Sequence, residues 1–430
     1  MKRIALLFLI SALFRSFGFG AEVKPALVLS PRQVELLRKV RKLEEVDPRR
    51  AERLLEAELG AERPLPLLFE LAALKAKLGD YSEAGKLFEE ITKRDPTFPG
   101  AQKNFARLLV RSGDYEKALD LFKEAFKREG VDPVSCRYLA QALVSKELYV
   151  QAEAALFQAL CAYPSDPDLL VELARVQLAL GKHASCEGTC RAALAVSPRH
   201  SSAWVLLARA YLERGDTGAA YDALEAAFRL GVELPAQALW TRADLAFKLG
   251  LYQDAVEGFK TAEKAKPPTA ERLGRIARAF LAVGKLKEAE VYARRLLEEG
   301  GAGAEAWYVL GRIAERAGDD SAASAHFAEA VKADPLNGEA VLALARVEAR
   351  LGKIEDALTW CRTAETLEGC RERALRCRLD ILLGAERFKE ALSVARELSR
   401  LAPSPPSWTE LIAALRERIK AQALSGATSQ

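Results

Sequence analysis

The sequence lacks the patterns that predict β-strands, catalytic motifs or cofactor sites. Long alternations of Val, Ile and Thr with polar residues are absent from its 430 residues, which argues against strands. P-loop, GxSxG, HExxH, CxxCH and paired CxxC motifs are absent, as is a GxGxxG motif after a strand, and no set of nucleophile, base and orienting residue stands out. We therefore expect no catalytic residue, no cofactor, no metal and no enzymatic activity.

Charge of one sign is also missing. The chain has 64 basic and 60 acidic residues; without residues 1–20, which hold three basic residues and no acidic one, 61 and 60 remain. Such a balance gives no reason to expect nucleic acid or an anionic membrane surface as a partner.

Apolar runs long enough to cross a bilayer are absent after the N-terminus. The N-terminus itself has Lys2 and Arg3, then an apolar run from Ile4 to Phe14, then small residues up to Ala21. This layout is typical of a secretory signal peptide, and an uncleaved membrane anchor or a cytosolic N-terminus are the alternatives. No Cys lies in this segment, which argues against a lipid attached there. We expect an exported, periplasmic or envelope-associated protein.

What the sequence does contain is a repeated phrase, such as GDYSEAGKLFEEI and GDYEKALDLFKEAF. Ala, Leu, Arg and Glu, all good helix formers, dominate the composition. A turn residue recurs every 34 residues, with one step of 35, at Gly79, Gly113, Glu147, Gly181, Gly215, Gly250, Gly284, Gly318, Gly352 and Glu386. A small residue follows five positions later in each unit, and usually a larger one nine positions later. A phrase written ten times belongs to the framework rather than to an active site.

Each unit reads as two helices. The turn Gly ends the first helix with a positive φ, and Tyr81, Ala84, Phe88 and Ile91 then fall on one stripe of the second. One pair cannot bury that stripe alone, so neighbouring pairs must stack. Residues 30–60 read as two further helices with Ser30 as N-cap, and 407–424 as a terminal helix.

This lattice resembles the tetratricopeptide repeat family over about residues 65–405. One unit carries Trp204, Leu207, Ala208, Tyr211, Gly215, Ala220, Leu224 and Ala227, and Arg242 departs from an apolar position in the next. The resemblance implies an all-α fold, an alpha-alpha superhelix of about ten repeats plus capping helices. We divide the chain into a signal peptide or anchor (1–20), an N-terminal cap or degenerate repeat (21–64), the repeat array (65–405), a C-terminal capping helix (406–424) and a disordered tail (425–430).

The resemblance also implies a concave groove lined by the first helices. In this family the residue after the small one at the helix crossing points into the groove, and most of these residues are Arg. The predicted partner-binding residues, including two aromatic ones a turn earlier, are Arg107, Arg175, Arg209, Trp240, Arg278, Tyr308, Arg312 and Arg346. Arg side chains suit carboxylates and phosphates; the alternative is a face solvated by ion pairs with nearby acids.

The cysteines offer a second hypothesis. His183, Cys186 and Cys190 share a helix face and could bind a thiophilic metal, but they occupy packing positions where Cys acts as a small hydrophobe. The cysteine count of seven is odd, so at least one thiol would stay unpaired in a monomer. One bridge among Cys361, Cys370 and Cys377 is compatible with their spacing, whereas Cys186 and Cys190 are poor partners; buried thiols are the alternative.

From these observations we expect a non-enzymatic scaffold or adaptor of the cell envelope that binds a partner protein or acidic peptide in the groove. The alternatives are a binder of anionic polysaccharide in an export system and a Cys-dependent metal or redox protein.

Overall fold

Helices are the only regular secondary structure in the computed structural model, which describes residues 29–60, 63–300, 303–401 and 407–427. The predicted all-α repeat fold is confirmed. The segment interpreted as a signal peptide, residues 1–20, lies outside the described residues. In the part of the chain that is described, no helix has the length and apolar character needed to cross a membrane.

The described residues form two compact units, one ending at residue 215 and the other beginning at residue 216. The helices described in the first unit are α1 (Pro31–Val46), α2 (Pro48–Glu58), α3 (Leu65–Leu78), α4 (Tyr81–Arg94), α5 (Ala101–Ser112), α6 (Tyr115–Glu129), α7 (Pro133–Ser145), α8 (Tyr149–Ala162), α9 (Pro167–Ala179), α10 (His183–Val196) and α11 (Ser201–Glu213).

The helices described in the second unit are α12 (Thr217–Arg229), α13 (Ala236–Lys248), α14 (Tyr252–Ala265), α15 (Ala270–Val283), α16 (Leu286–Glu298), α17 (Gly303–Arg316), α18 (Asp320–Ala333), α19 (Gly338–Arg350), α20 (Ile354–Glu365), α21 (Arg371–Gly384), α22 (Phe388–Leu401) and α23 (Ser407–Ala427). The last helix continues three residues beyond the end at Leu424 that the sequence predicts.

Each turn residue of the lattice has a left-handed backbone. The eight glycines have φ between 70° and 92°, and Glu147 and Glu386, which replace Gly in two repeats, have φ of 60° and 57°. Because a left-handed residue with a Cβ costs roughly 1 kcal/mol, the turn geometry is imposed by the packing of the two helices it joins. The predicted positive-φ turn is therefore present even where the sequence departs from Gly.

The second helices bury the stripe that the sequence predicts. In α4, Ala84, Phe88 and Ile91 are at most 1% exposed, and Ala118 and Phe122 of α6 have no exposed surface. Small residues occur where helix backbones approach closely, and larger ones fill the space beside them.

The first helices are the more deeply buried members of the pairs. Within the first unit α5 contacts α7, α7 contacts α9 and α9 contacts α11; within the second, α15 contacts α17 and α19 contacts α21. The first helices α5, α7, α9, α15, α17, α19 and α21 each also pack on the second helix of their own pair. A ligand would therefore meet first-helix side chains only at positions turned away from this packing.

Two local predictions can be compared with the structure. Ser30 caps α1: its hydroxyl accepts a hydrogen bond from the Gln33 amide, and the Gln33 side chain accepts one from the Ser30 amide, as predicted for an N-cap. Arg242, which departs from the apolar pattern, is buried, with Nη1 2.6 Å from Glu225 and its guanidinium 3.7 Å from the centre of the Phe228 ring. The charge that Arg242 brings to a usually apolar position is thus balanced by the carboxylate of Glu225.

Candidate partner-binding site

Arg107, the first of the predicted groove residues, is held in a network inside the first unit. Its Nη2 lies 2.8 Å from Asp132 Oδ1 and 2.7 Å from Ser135 Oγ, and Nη1 lies 3.2 Å from Asn104. Burial alone would raise the pKa of Asp132, but the Ser135 hydrogen bond and the charges of Arg107 and Lys103 outweigh it and lower the pKa. This guanidinium joins two repeats.

Arg175 and Arg209 are exposed, and each pairs with an acid on its own helix. Arg175 Nε lies 3.3 Å from Glu172, and Arg209 Nε lies 2.9 Å from Glu213. Exposed pairs of this kind contribute little to stability. They match the alternative interpretation, a face solvated by local ion pairs.

Trp240 does not line a surface. Its side chain has no exposed area; the ring lies 6.1 Å from that of Phe259, and Arg272 from the next repeat places its guanidinium 4.8 Å from the ring centre. The prediction that Trp240 offers an aromatic surface to a partner is therefore wrong, because the ring turns toward α14 and is covered by α15.

Tyr308 is 8% exposed and lies between two predicted arginines in the second unit. The Arg278 guanidinium is 5.4 Å from its ring centre, and Arg312 Nη1 is 3.5 Å from its hydroxyl. Phe327 packs beneath the ring, with centroids 5.8 Å apart. Little of the Tyr308 side chain is thus open to a ligand.

Arg278 is neutralised by acids from the two following repeats. Its Nε lies 3.1 Å from Glu305 Oε1, and its Nη2 bonds to Glu339. Burial would lower the pKa of Arg278, but the two carboxylates outweigh it and raise the pKa. For Glu305 the effect of burial is the larger one, so its pKa is raised although the charge of Arg278 lowers it.

Arg312 is also paired with a carboxylate, since its Nε lies 3.1 Å from Glu315.

Arg346 differs from the other predicted arginines, because it is exposed and makes no ion pair within the described residues. It lines a cavity of about 350 Å³ in the second unit. We call this the arginine cavity; its lining residues are Tyr308, Glu339, Leu342, Arg346, Arg373, Arg376, Cys377 and Asp380.

The other cations of the arginine cavity differ in their pairing. Arg376 pairs with Glu372 at 2.6 Å. Arg373 donates only to Cys370 Sγ, at 3.4 Å, among the described residues. Burial raises the pKa of Asp380, which has no ion pair in the described part of the chain. Two guanidinium groups, Arg346 and Arg373, therefore line the cavity without a carboxylate partner in the ranges that the structure describes.

Arg373 is the residue that the sequence analysis missed, although the sequence carries a signal for it. Glu305 lies 27 residues after Arg278, and Glu339 lies 27 residues after Arg312. The residue 27 after Arg346 is Arg373. In these three consecutive repeats of the second unit, the acid at this lattice position is thus replaced by a base after Arg346, the groove arginine that has no ion pair among the described residues.

The cysteines of α10 pack as the framework interpretation predicts. Cys186 and Cys190 have no exposed surface, and His183 lies beside Glu213, with 3.5 Å between Nδ1 and Oε2. In the described ranges, no group of three or more His, Cys, Asp or Glu side chains has a metal-binding arrangement.

These features define an α-helical repeat protein with an arginine-lined cavity on its first helices. Sequence profiles described as tetratricopeptide repeat match residues 74–143 and residues 171–227, 205–270, 275–324 and 321–369. The chain belongs to the tetratricopeptide repeat family, which supports a role as a protein-interaction scaffold. No curated protein matches the sequence.

Solved structures of low sequence identity are similar to this chain. Yeast Tom70 is 14% identical, with a TM-score of 0.38, over 91% of this chain and 96% of that chain. The Cut9 and Hcn1 hetero-tetramer of APC/C is 14% identical, with a TM-score of 0.44, over 90% and 97%. The C-terminal part of a TPR repeat-containing protein from Cytophaga hutchinsonii is 17% identical, with a TM-score of 0.43, over 56% and 99%. Such similarities say nothing about function.

Proposed function

We propose that this protein is a non-enzymatic adaptor that holds an acidic segment of a partner protein at the arginine cavity. The observation that carries the proposal is the pair of guanidinium groups, Arg346 and Arg373, that have no carboxylate partner among the described residues. Elsewhere on the lattice the groove arginines have carboxylates of their own, so a ligand carboxylate would have to displace an existing ion pair. At Arg346 it would not.

The cavity favours a particular ligand chemistry. Arginine forks bind carboxylates in a bidentate manner, while Leu342 and the ring of Tyr308 offer apolar contact beside them. A volume of about 350 Å³ is at the small end for a ligand site. It suits one or two side chains of an extended segment, with a carboxylate beside an apolar group.

A crosslinking experiment identifies the segment. A photoreactive phenylalanine analogue replaces Arg376, which is 58% exposed, or Arg175, which is 52% exposed and lies in the other unit. We expect crosslinks to one protein segment from position 376 and none to that segment from position 175 in intact cells.

Affinity measurements then test the role of the charges. The isolated segment should bind the Arg346→Ala, Arg373→Ala double variant at least about tenfold more weakly, since a hydrogen bond to a charged group contributes about 1.5–3 kcal/mol. The matched control, Arg175→Ala with Arg209→Ala, removes the same charge from exposed sites and should bind as the wild type does. Equal affinity of the two double variants would reject the proposal.

An anionic polysaccharide is the second candidate ligand, because the same guanidinium groups would bind uronate carboxylates. Alginate serves as the probe. Salt-sensitive binding of alginate that depends on Arg346 and Arg373, with no protein crosslink from position 376, would favour this alternative.

We further propose that the protein acts in the cell envelope after residues 1–20 are removed as a signal peptide. The proposal rests on the basic start, the apolar run and the small residues at the N-terminus. Mass spectrometry of the protein purified from its native cells checks it: a chain that begins near Ala21 is expected, and a chain that retains residues 1–20 in the cytosol would contradict it.

A further inference from the structure

Two cysteines form a thiol pair at the edge of the arginine cavity. Cys361 lies on α20 and Cys377 on α21, two helices that pack against each other, and the two thiols are close enough to shift each other's pKa. Cys361 has no exposed surface, whereas Cys377 is 8% exposed and lines the cavity. A molecule in the cavity can therefore reach Cys377, whereas the neighbouring thiol of Cys361 is covered by the protein.

The pKa values of the two thiols shift in opposite directions. The hydrogen bond from Cys361 is the largest influence on Cys377 and lowers its pKa; Arg346 acts in the same direction, while burial and Asp380 oppose it. The same hydrogen bond, together with burial, raises the pKa of Cys361. The thiolate is the nucleophile in thiol chemistry, and of these two cysteines it is Cys377 that lines the cavity, so Cys377 is the thiol that a small disulfide can reach.

We infer that Cys377 and Cys361 act as an attacking and a resolving thiol toward low-molecular-weight disulfides, and that their reaction links α20 to α21. The Cys377 thiolate attacks one sulfur of the small disulfide, forms a mixed disulfide and releases one thiolate. Cys361 then attacks Cys377 Sγ, the second small-molecule sulfur leaves, and the proton of the Cys361 thiol passes to that leaving thiolate, which departs as a thiol. Two protein thiols are oxidised and one disulfide is reduced to two thiols. This inference goes beyond the proposed adaptor function and does not depend on it.

The other cysteines provide internal controls. Cys186 and Cys190 also shift each other's pKa, but they lie one turn apart on a single helix, which is poor geometry for a bridge, and neither is exposed. Burial raises the pKa of Cys136 to about 11. Cys370 is 5% exposed, and its Sγ lies against Gly338. Cys161 is exposed and would react alone.

The test uses the full chain with Cys161→Ser, which removes the exposed thiol. The reduced protein is equilibrated with excess glutathione disulfide, its remaining thiols are alkylated in denaturant, and the cysteine-containing peptides are mapped by mass spectrometry. We expect one bridge, between Cys361 and Cys377, with Cys136, Cys186, Cys190 and Cys370 alkylated.

Two variants establish the order of attack. With Cys361→Ser, Cys377 should remain as a mixed disulfide with glutathione, because no resolving thiol is present. With Cys377→Ser, Cys361 should be alkylated and carry no glutathione, because it cannot be reached. Full alkylation of both thiols in the parent protein, or a bridge between Cys186 and Cys190 at equal yield, would overturn the inference. Since the parent protein decides this outcome, a variant that fails to fold does not remove the test.

Discussion

Arg107 in the first unit and Arg346 in the second occupy the same position of the repeat but have different surroundings. Arg107 is half-buried and bonds Asp132, Ser135 and Asn104, so its charge is used to join neighbouring repeats. Arg346 is exposed and has no ion pair in the described residues. The position in the repeat thus predicts where the side chain points, and the next repeat decides whether its charge is available to a ligand.

The second unit contains both arrangements, which makes the comparison sharper. Arg278 is paired with Glu305 and Glu339, each in the first turn of a later first helix. The first turn of α21 supplies Arg373 instead. In one case, therefore, an ion pair between repeats holds the stack together, and in the other the charge of the groove arginine stays exposed to solvent.

The largest expected difference between the two arrangements is in stability. Arg278→Ala should lower the free energy of unfolding by about 2 kcal/mol, because it leaves Glu305 half-buried without its cation. Arg346→Ala should change it by less than about 0.5 kcal/mol, as is usual for an exposed residue without partners. Urea unfolding followed by circular dichroism measures both. Similar losses for the two variants would break the comparison.

Sequence reasoning is reliable for features that depend on period. The turn spacing predicts the helix pairs and the left-handed turn, including at Glu147 and Glu386, because every repeat must bury the same stripe against its neighbours. It also identifies Tyr308 and Arg346, which line the arginine cavity.

Features that depend on contacts between repeats are harder to predict. The burial of Trp240 depends on the ring turning toward Phe259 and on Arg272 covering it. The 34-residue spacing of the repeats predicts neither contact. The pairing of Arg278 depends on acids 27 and 61 residues later. Such relations become visible only when the stacking of first helices is known.

Two aspartates extend the comparison to pH, with an expected effect of about 1 kcal/mol for Asp132 and a much smaller one for Asp380, which is exposed to solvent. The pKa of Asp132 is lowered, so its ionised form stabilises the fold above the ordinary pKa of 3.8, and this contribution is lost as the pH falls through the folded-state pKa. The pKa of Asp380 is raised by burial, so its charge costs stability at neutral pH, and acidification removes that cost.

The substitution of Asn for each aspartate should therefore act in opposite directions. Asp132→Asn keeps the cap of α7 but should lower the midpoint of urea unfolding at pH 7 and leave it unchanged below pH of about 3. Asp380→Asn should raise the midpoint slightly at pH 7, with no effect in acid. If both variants lower the midpoint at pH 7, the contrast between the paired and the unpaired carboxyl group is wrong.

The smallest effect on stability is expected when the missing acid is restored. Arg373→Glu places a carboxylate 27 residues after Arg346, where Glu305 stands relative to Arg278, and should stabilise the second unit by about 0.5 kcal/mol at low salt. Arg376→Glu is the matched control, since it makes the same charge change on the same helix. The new carboxylate lies beside Glu372 and should destabilise the unit slightly.

Because Arg373→Glu also occupies the free guanidinium of Arg346, it should remove binding of the acidic segment. A variant that gains the ion pair, seen as salt-dependent stability, yet binds with unchanged affinity would show that exposed charge at Arg346 is not what selects the partner.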